Sequence, residues 1–162
     1  MSRDGGKNFY QKQPEETFPV CDFGYIDTAN KTEVRGEGGK SGVFYMALGD
    51  AGLYKFCYDT GTDEIHVKRL TDAKDACYRM GLGVIGECKE YLTEEKAIYF
   101  CGRLDGEYGF YRTLDEGKSY ERLNRDDQMY GEINSIDGDK RKFGRFFLAT
   151  GSRGVLYGEM LK

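Results

Sequence analysis

Residues 111–124, YRTLDEGKSYERLN, group side chains that could carry out chemistry: Thr113, Asp115, Gly117, Ser119 and Tyr120. A carboxylate flanked by hydroxyl groups is a candidate general acid, general base or metal ligand. The same residue types also build a tight turn, because an Asp side chain accepts hydrogen bonds from backbone N–H groups two or three residues further on. Gly then supplies the left-handed backbone that such a turn requires. The organisation of the whole chain decides between a site and a turn.

Related copies of this stretch favour the turn. SRDGGKNF at 2–9 has the same order of residue types except for Asn8, which stands in the place of Ser119, and YDTGTDEI at 58–65 keeps only the aspartate and the glycine. The three aspartates are 55 and 56 residues apart in the chain. Copies that recur at one period are typical of a structural corner in a repeat protein. The predicted structural residues are Asp4, Gly6, Asp59, Gly61, Asp115 and Gly117.

Three further segments repeat, and these predict the elements that hold the turns in place. They are VFYMALGDAGLYK (43–55), IYFCGRLDGEYGFYR (98–112) and RFFLATGSRGVLYG (145–158). Each has an aromatic-rich apolar run, a Gly-containing loop and a second run that ends near a tyrosine. Such segments predict β-hairpins with loops of about four to seven residues. A period near 50 residues with four short strands per period is typical of a β-propeller blade.

The predicted fold is therefore all-β, a partial β-propeller of about three four-stranded blades in a single domain, 1–162. Residues 1–13 supply a turn and the fourth strand of a blade whose first three strands are 128–162, while 17–70 and 75–124 each form a full blade. Three blades cannot close a ring, because propellers have about four to eight. The chain is therefore expected either to form a homo-oligomer by head-to-tail blade completion or to be joined by missing blades of a longer parent chain.

Composition excludes several classes of protein. The chain has 162 residues, 39% of them hydrophobic and 14% aromatic, which is too apolar for a disordered protein. The net charge of −4 and the absence of a basic stripe argue against nucleic-acid binding. No run approaches the ~20 apolar residues of a membrane span, and the sequence contains no signal peptide, so the localisation stays unknown. No metal and no cofactor are predicted, since His66 and the five cysteines lack metal-ligand spacing: Cys21, Cys57, Cys77, Cys88 and Cys101.

The turn motif resembles the Asp-box, or BNR repeat, of sialidase-like propellers, with Tyr120 in place of the usual Trp. A more specific resemblance lies in IDGDKRKFGRFFLATGSRGVLYG, residues 136–158. It is similar to the closing segment of xyloglucan-active endo-β-1,4-glucanases and oligoxyloglucan-specific cellobiohydrolases. Lys140 and Phe147 depart from the family pattern, which has Pro and Tyr there. The matching residues are Gly138, Asp139, Arg141, Gly144, Arg145, Leu148, Thr150, Arg153, Gly154 and Tyr157.

The resemblance implies the C-terminal portion of an inverting glycoside hydrolase that cuts a β-1,4-glucan between two propellers. Inversion needs an acid and a base carboxylate on opposite sides of the bond. No segment here matches either catalytic aspartate, so no catalytic residue is predicted and the chain is expected to be non-catalytic alone and at most glycan-binding. The alternatives are a part of an active endo-β-1,4-glucanase completed by missing blades or by oligomerisation, and a protein-interaction scaffold. The family also implies secretion.

In the resembling family, the rim opposite the Asp-boxes carries the polysaccharide. Here that rim comprises the loops within each repeated hairpin, 48–52, 102–109 and 150–154, and the segments 75–81 and 125–131 that lead into first strands. Tyrosines there are expected to stack on sugar rings, and charged or amide side chains to hydrogen-bond hydroxyl groups. The partner implied is a plant cell-wall β-glucan or xyloglucan. The candidate glycan-binding residues are Tyr78, Arg79, Arg103, Asp105, Tyr108, Gln128, Tyr130 and Arg153.

Overall fold

The computed structural model describes residues 6–10, 33–38, 41–86 and 95–160. Every helix or strand assigned in these ranges is a β-strand. The described residues accordingly contain no helix that is long and apolar enough to cross a membrane. Asp4 and most of the segment 1–13 lie outside the described residues, as do Cys21 and Cys88.

Within the described residues, eleven strands form three antiparallel sheets, and the strands of each sheet are neighbours in chain order. The first sheet contains β1 (Glu33–Gly36), β2 (Val43–Ala47), β3 (Leu53–Asp59) and β4 (Glu64–Arg69). The second sheet contains β5 (Ala76–Val84), β6 (Glu95–Leu104), β7 (Glu107–Thr113) and β8 (Glu121–Arg122). The third sheet contains β9 (Ile133–Gly138), β10 (Arg145–Thr150) and β11 (Val155–Glu159). The predicted all-β class is confirmed. That a strand near the chain start completes the third sheet stays a prediction.

The sheets are held together by apolar clusters on their facing sides. A first cluster joins the first and second sheets and includes Tyr45, Met80 and Phe100. A second cluster joins the second and third sheets and includes Phe110 and Phe146. Because neighbouring residues of a strand point to opposite faces, the middle sheet supplies side chains to both clusters. Burial of these large side chains is the main favourable term in the stability of this arrangement.

Two glycines in β5 allow the second and third sheets to approach closely. A Cβ atom on Gly81 would lie 2.4 Å from the Cα atom of Asp137, and a Cβ on Gly83 would lie 3.0 Å from the Cα atom of Gly138. These distances leave no room for a side chain, so β5 and β9 meet backbone against backbone. The first strands of successive sheets therefore lie side by side, as expected for propeller blades.

The edge of β5 that faces away from β6 is covered by side chains of the neighbouring sheets. The Met80 N–H donates to Glu33 Oε2 on β1 at 2.9 Å, and the Leu82 N–H donates to Asp137 Oδ1 on β9 at 3.0 Å. An uncovered strand edge presents unpaired backbone groups that pair with other chains. Here carboxylates from both adjacent sheets accept hydrogen bonds from two N–H groups of that edge.

The predicted loop 102–109 is wrong in its length. β6 and β7 continue through this segment, and only Asp105 and Gly106 form the turn between them. Their φ angles are +51° and +87°, which is the backbone of a two-residue type I′ hairpin turn. Arg103 and Tyr108 are therefore paired strand residues with side chains on one face of the sheet.

Candidate functional site

The loops that were predicted to share one rim are tied to each other in pairs. Gly49, between β2 and β3, exchanges two backbone hydrogen bonds of 2.8 Å with Cys77 of β5. The Asp105 N–H donates to Asp75 Oδ1 at 2.9 Å, and the Gly151 N–H donates to the Glu132 carbonyl at 2.8 Å. Each hairpin turn is thus fixed to the segment that leads into a first strand. We call this edge of the molecule the loop rim.

Three tyrosines pack on the second cluster at the loop rim, and two of them are neighbours. Tyr78, Tyr108 and Tyr130 are each partly exposed and pack against that cluster. The ring centroids of Tyr78 and Tyr108 are 6.4 Å apart, and Tyr130 stacks on Phe110 with an interplanar angle of 7°. Packing against the cluster fixes the position of each ring, and part of each residue's surface stays exposed. Sugar rings stack on aromatic surfaces of this kind.

The hydroxyl groups of two of these tyrosines stay protonated. The Tyr78 hydroxyl donates to Asp50 Oδ1 at 3.0 Å, and burial is the main cause that raises the pKa of Tyr78. Burial likewise raises the pKa of Tyr108, and the neighbouring Cys101 raises it further. Both groups are therefore neutral hydroxyl groups over the physiological pH range.

The polar candidate glycan-binding residues differ in how much of each side chain is exposed to solvent. Arg103 is exposed and lies directly across the ladder from Tyr108, on the same face. Asp105 has 80% of its side chain exposed and forms an ion pair with Lys74. Arg153 is exposed, and its N–H donates to Thr150 Oγ1 at 2.8 Å. These three side chains are open to a ligand in solution.

Gln128 is half-buried, and its side-chain oxygen already accepts a hydrogen bond of 3.1 Å from the Arg125 N–H. Its amide is therefore held within its own loop. A contact of Gln128 with a glycan stays a prediction.

Arg79 lies between the sheets, with only 6% of its surface exposed. Its Nε donates to the Asn134 carbonyl of β9 at 3.0 Å, and its guanidinium lies 3.9 Å from Glu33 Oε1 of β1. Arg79 thus connects the first strands of all three sheets, which is a structural position. Glu33, its partner, carries no signal in the sequence that would have identified this ion pair.

The Asp-box at 113–120 is a closed turn in the structure. Asp115 accepts hydrogen bonds from the Ser119 N–H at 2.9 Å, the Ser119 hydroxyl at 2.6 Å and the Thr113 hydroxyl at 2.9 Å. The hydrogen bonds from Ser119 lower the pKa of Asp115 to about 2. Gly117, with φ of +83°, donates its N–H to Thr113 Oγ1 at 2.9 Å. The carboxylate is thus engaged by the turn itself.

The turn at 59–62 is simpler. Asp59 Oδ1 accepts hydrogen bonds from the Gly61 N–H at 2.7 Å and the Thr62 N–H at 3.4 Å. Gly6 has a φ of +89°, the left-handed backbone expected of a turn glycine.

The described residues contain no group of three or more His, Cys, Asp or Glu side chains placed to hold a metal ion. Cys57, Cys77 and Cys101 are free thiols. Burial raises the pKa of Cys101 to about 11.

Comparison with known proteins shows that the chain is similar to portions of xyloglucanases. In an alignment of 166 positions that covers 97% of the chain, it is 30% identical to xyloglucanase Xgh74A of Acetivibrio thermocellus. Over 124 residues, 75% of the chain, it is 46% identical to a probable oligoxyloglucan-reducing end-specific xyloglucanase of Neosartorya fischeri. None of the known protein-family profiles matches the chain. The matched portions are 19% and 14% of those two proteins, so the chain spans less than a fifth of their length.

A solved structure shows the same fold. The GH74 enzyme of Niastella koreensis superposes with a TM-score of 0.61 at 26% sequence identity, over 77% of this chain and 17% of that enzyme. The predicted resemblance is confirmed: the homologues of this chain are GH74 xyloglucanases, and its three sheets are similar to blades of the GH74 propeller structures.

Proposed function

We propose, from the similarity to one portion of the GH74 xyloglucanases, that the chain is a piece of a xyloglucan- or β-1,4-glucan-active propeller and binds glycan through its loop rim. On its own the chain binds without cleaving. The observation that supports this most is the set of three half-exposed tyrosines, Tyr78, Tyr108 and Tyr130, which pack on the second cluster. Aromatic rings that are already held by packing lose little conformational entropy when they bind a polymer.

The side chains around these tyrosines supply polar contacts for the hydroxyl groups of the sugar. Arg103 lies beside Tyr108, and Arg153 projects from the next blade. Guanidinium groups donate several hydrogen bonds in a fixed geometry, and sugar hydroxyls accept them. Asp50 holds the Tyr78 hydroxyl and thereby fixes the orientation of that ring. In this proposal the tyrosines contact sugar faces and the arginines contact sugar hydroxyl groups.

The experiment is affinity gel electrophoresis of the chain in gels that contain xyloglucan or hydroxyethylcellulose, a β-1,4-glucan without xylose branches. We expect xyloglucan to retard the chain, and retardation to weaken in Arg103→Ala and Arg153→Ala. Lys68→Ala, an exposed substitution on β4, is the matched control and is expected to migrate like the unaltered chain. Absence of retardation in both gels would contradict the proposal and would favour the protein-interaction scaffold.

A second function is favoured by the activity in the names of the relatives, which are called xyloglucanases. In this reading the chain is part of an active endo-β-1,4-glucanase that requires further blades or a second copy. The third sheet supports such completion, because within the described residues β11 pairs only with β10 and exposes Val155 and Tyr157 by 70% and 69%. We expect no release of reducing sugar by the isolated chain.

Turnover by the isolated chain would overturn the non-catalytic assignment. Light scattering tests completion by a second copy: a dimer or larger ring is expected if β11 pairs with another chain, and a monomer at all concentrations would contradict it.

A further inference from the structure

The face of the middle sheet that lies opposite the three loop-rim tyrosines carries an open cavity of about 480 Å³, which borders the loop rim at Asp75 and Asp105. Three segments line it: the chain between β4 and β5, the turn between β6 and β7, and the Asp-box after β7. Its volume falls within the ~300–1,000 Å³ that is typical of small-molecule sites. The loop-rim tyrosines contact the second cluster, whereas the apolar lining of this cavity belongs to the first cluster.

The floor of the cavity is apolar and fixed. Leu104 and Tyr111 are 9% and 5% exposed and belong to the first cluster, against which Tyr120 packs. The Tyr111 hydroxyl donates to the Glu107 carbonyl at 2.7 Å, and the Tyr120 hydroxyl donates to the Leu70 carbonyl at 2.6 Å. Because both hydroxyl groups are bound internally, the two tyrosines present ring carbons to the cavity.

The walls of the cavity carry both signs of charge. The lining includes three carboxylates and two basic groups, and the Arg122 guanidinium lies 4.0 Å from Glu107 Oε2; these residues are Asp72, Asp75, Glu107, Lys118 and Arg122. Asp75 is only 5% exposed, and its oxygens accept hydrogen bonds from the Asp105 N–H at 2.9 Å and the Asp72 N–H at 3.2 Å. The buried Nε of Arg122 makes no hydrogen bond to any described residue. The cavity therefore offers donors and acceptors above an apolar floor.

These features select a class of ligand. An anionic ligand would meet the carboxylates, and the described residues include no cluster placed to hold a metal ion. A sugar ring has apolar C–H faces and a perimeter of hydroxyl groups that both donate and accept, which matches the floor and the walls. We propose that this cavity is a second carbohydrate site that binds a neutral saccharide of one or two rings. The choice of glucan-type probes rests on the function proposed above.

The test is a titration of the ¹⁵N-labelled chain with cellobiose, followed by amide chemical shifts. We expect the Gly117 and Ser119 signals to shift, because both residues line the cavity. The signal of Gly131, next to Tyr130, reports the loop rim separately. Lys118→Ala and Glu107→Gln should each weaken the response of the cavity about tenfold, as for one lost hydrogen bond to a charged group. Lys68→Ala should leave it unchanged.

Charged relatives of the same ring distinguish the nature of the site. Glucuronate is expected to bind more weakly than glucose. Glucosamine binding that is much tighter than glucose binding and is lost in salt would identify a cation site and overturn the proposal. The proposal would also be overturned if the Gly117 and Ser119 signals did not shift at cellobiose concentrations that shift the Gly131 signal. If the Gly117 and Ser119 signals shifted and the Gly131 signal did not, the result would support saccharide binding in the cavity and contradict glycan binding at the loop rim.

Discussion

The two turns that follow β3 and β7 start from related sequences and end in different structures. After β7, Asp115 accepts three hydrogen bonds within the turn, and the Tyr120 hydroxyl donates to the Leu70 carbonyl at the end of the first sheet at 2.6 Å. After β3, Asp59 accepts two backbone hydrogen bonds. The comparison separates two roles of the motif. The aspartate closes the turn in both copies, whereas the aromatic residue attaches the turn to the neighbouring sheet only in the complete copy.

The largest effect is expected from removal of the aromatic attachment. Tyr120→Ala deletes a ring of the first cluster and the hydrogen bond to the Leu70 carbonyl. We expect a loss of about 2–3 kcal/mol in the free energy of unfolding, just below the ~3–5 kcal/mol of buried aromatic truncations because Tyr120 is partly exposed. Urea denaturation measures it. The control, Tyr58→Ala, deletes a tyrosine whose hydroxyl binds Asp63 of its own turn and should cost less. Equal losses of stability in Tyr120→Ala and Tyr58→Ala would contradict the special role of the Tyr120 ring.

The second largest effect is expected from loss of the Asp115 carboxylate. Asp115→Ala should destabilise the chain more than Asp59→Ala, because Asp115 closes the turn through more hydrogen bonds. Thermal melting of both variants checks the order. Asp115→Ala should leave xyloglucan retardation unchanged, since the turn forms no part of the loop rim. Unchanged melting together with lost retardation would reassign Asp115 to a binding role.

A smaller effect isolates the hydroxyl group of Tyr120. Tyr120→Phe keeps the ring and removes only the donor to the Leu70 carbonyl, which lies at the end of the first sheet. We expect a loss of about 1 kcal/mol, a usual value for one hydrogen bond. Denaturation by urea under the conditions used for Tyr120→Ala gives the difference. A loss as large as that of the alanine variant would mean that the ring itself contributes little.

The smallest expected effect is on stability at acidic pH. The pKa of Asp115 is lowered from 3.8 to about 2 in the folded chain, so the folded state holds the carboxylate ionised where the unfolded state has begun to bind a proton. The resulting stability is complete above a pH near the unfolded pKa and disappears as the pH falls through the folded pKa. Asp115→Asn should therefore show a flatter decline of stability between about pH 4 and pH 2. An identical slope in both proteins would contradict this assignment.

The strands were predictable because their signal is local. Alternating apolar residues and glycine loops predicted the hairpins that became β2–β3, β6–β7 and β10–β11. The length of the turn at Asp105 was missed, since its ladder continues through residues that also suit a loop. The burial of Arg79 could not be predicted because its partners lie on two other sheets. The cavity is equally hidden in the sequence, as its lining comes from three separate segments.

The covered edge of β5 has a consequence for how the chain folds. The N–H groups of Met80 and Leu82 on this edge donate to Glu33 and Asp137, which belong to the preceding and the following sheet. The middle sheet alone would keep its internal ladders but would expose that edge to other molecules, as isolated strand edges do. The three sheets should therefore unfold as one cooperative unit rather than sheet by sheet. A chain cut at either boundary should aggregate, although every strand of the remaining sheets would be present.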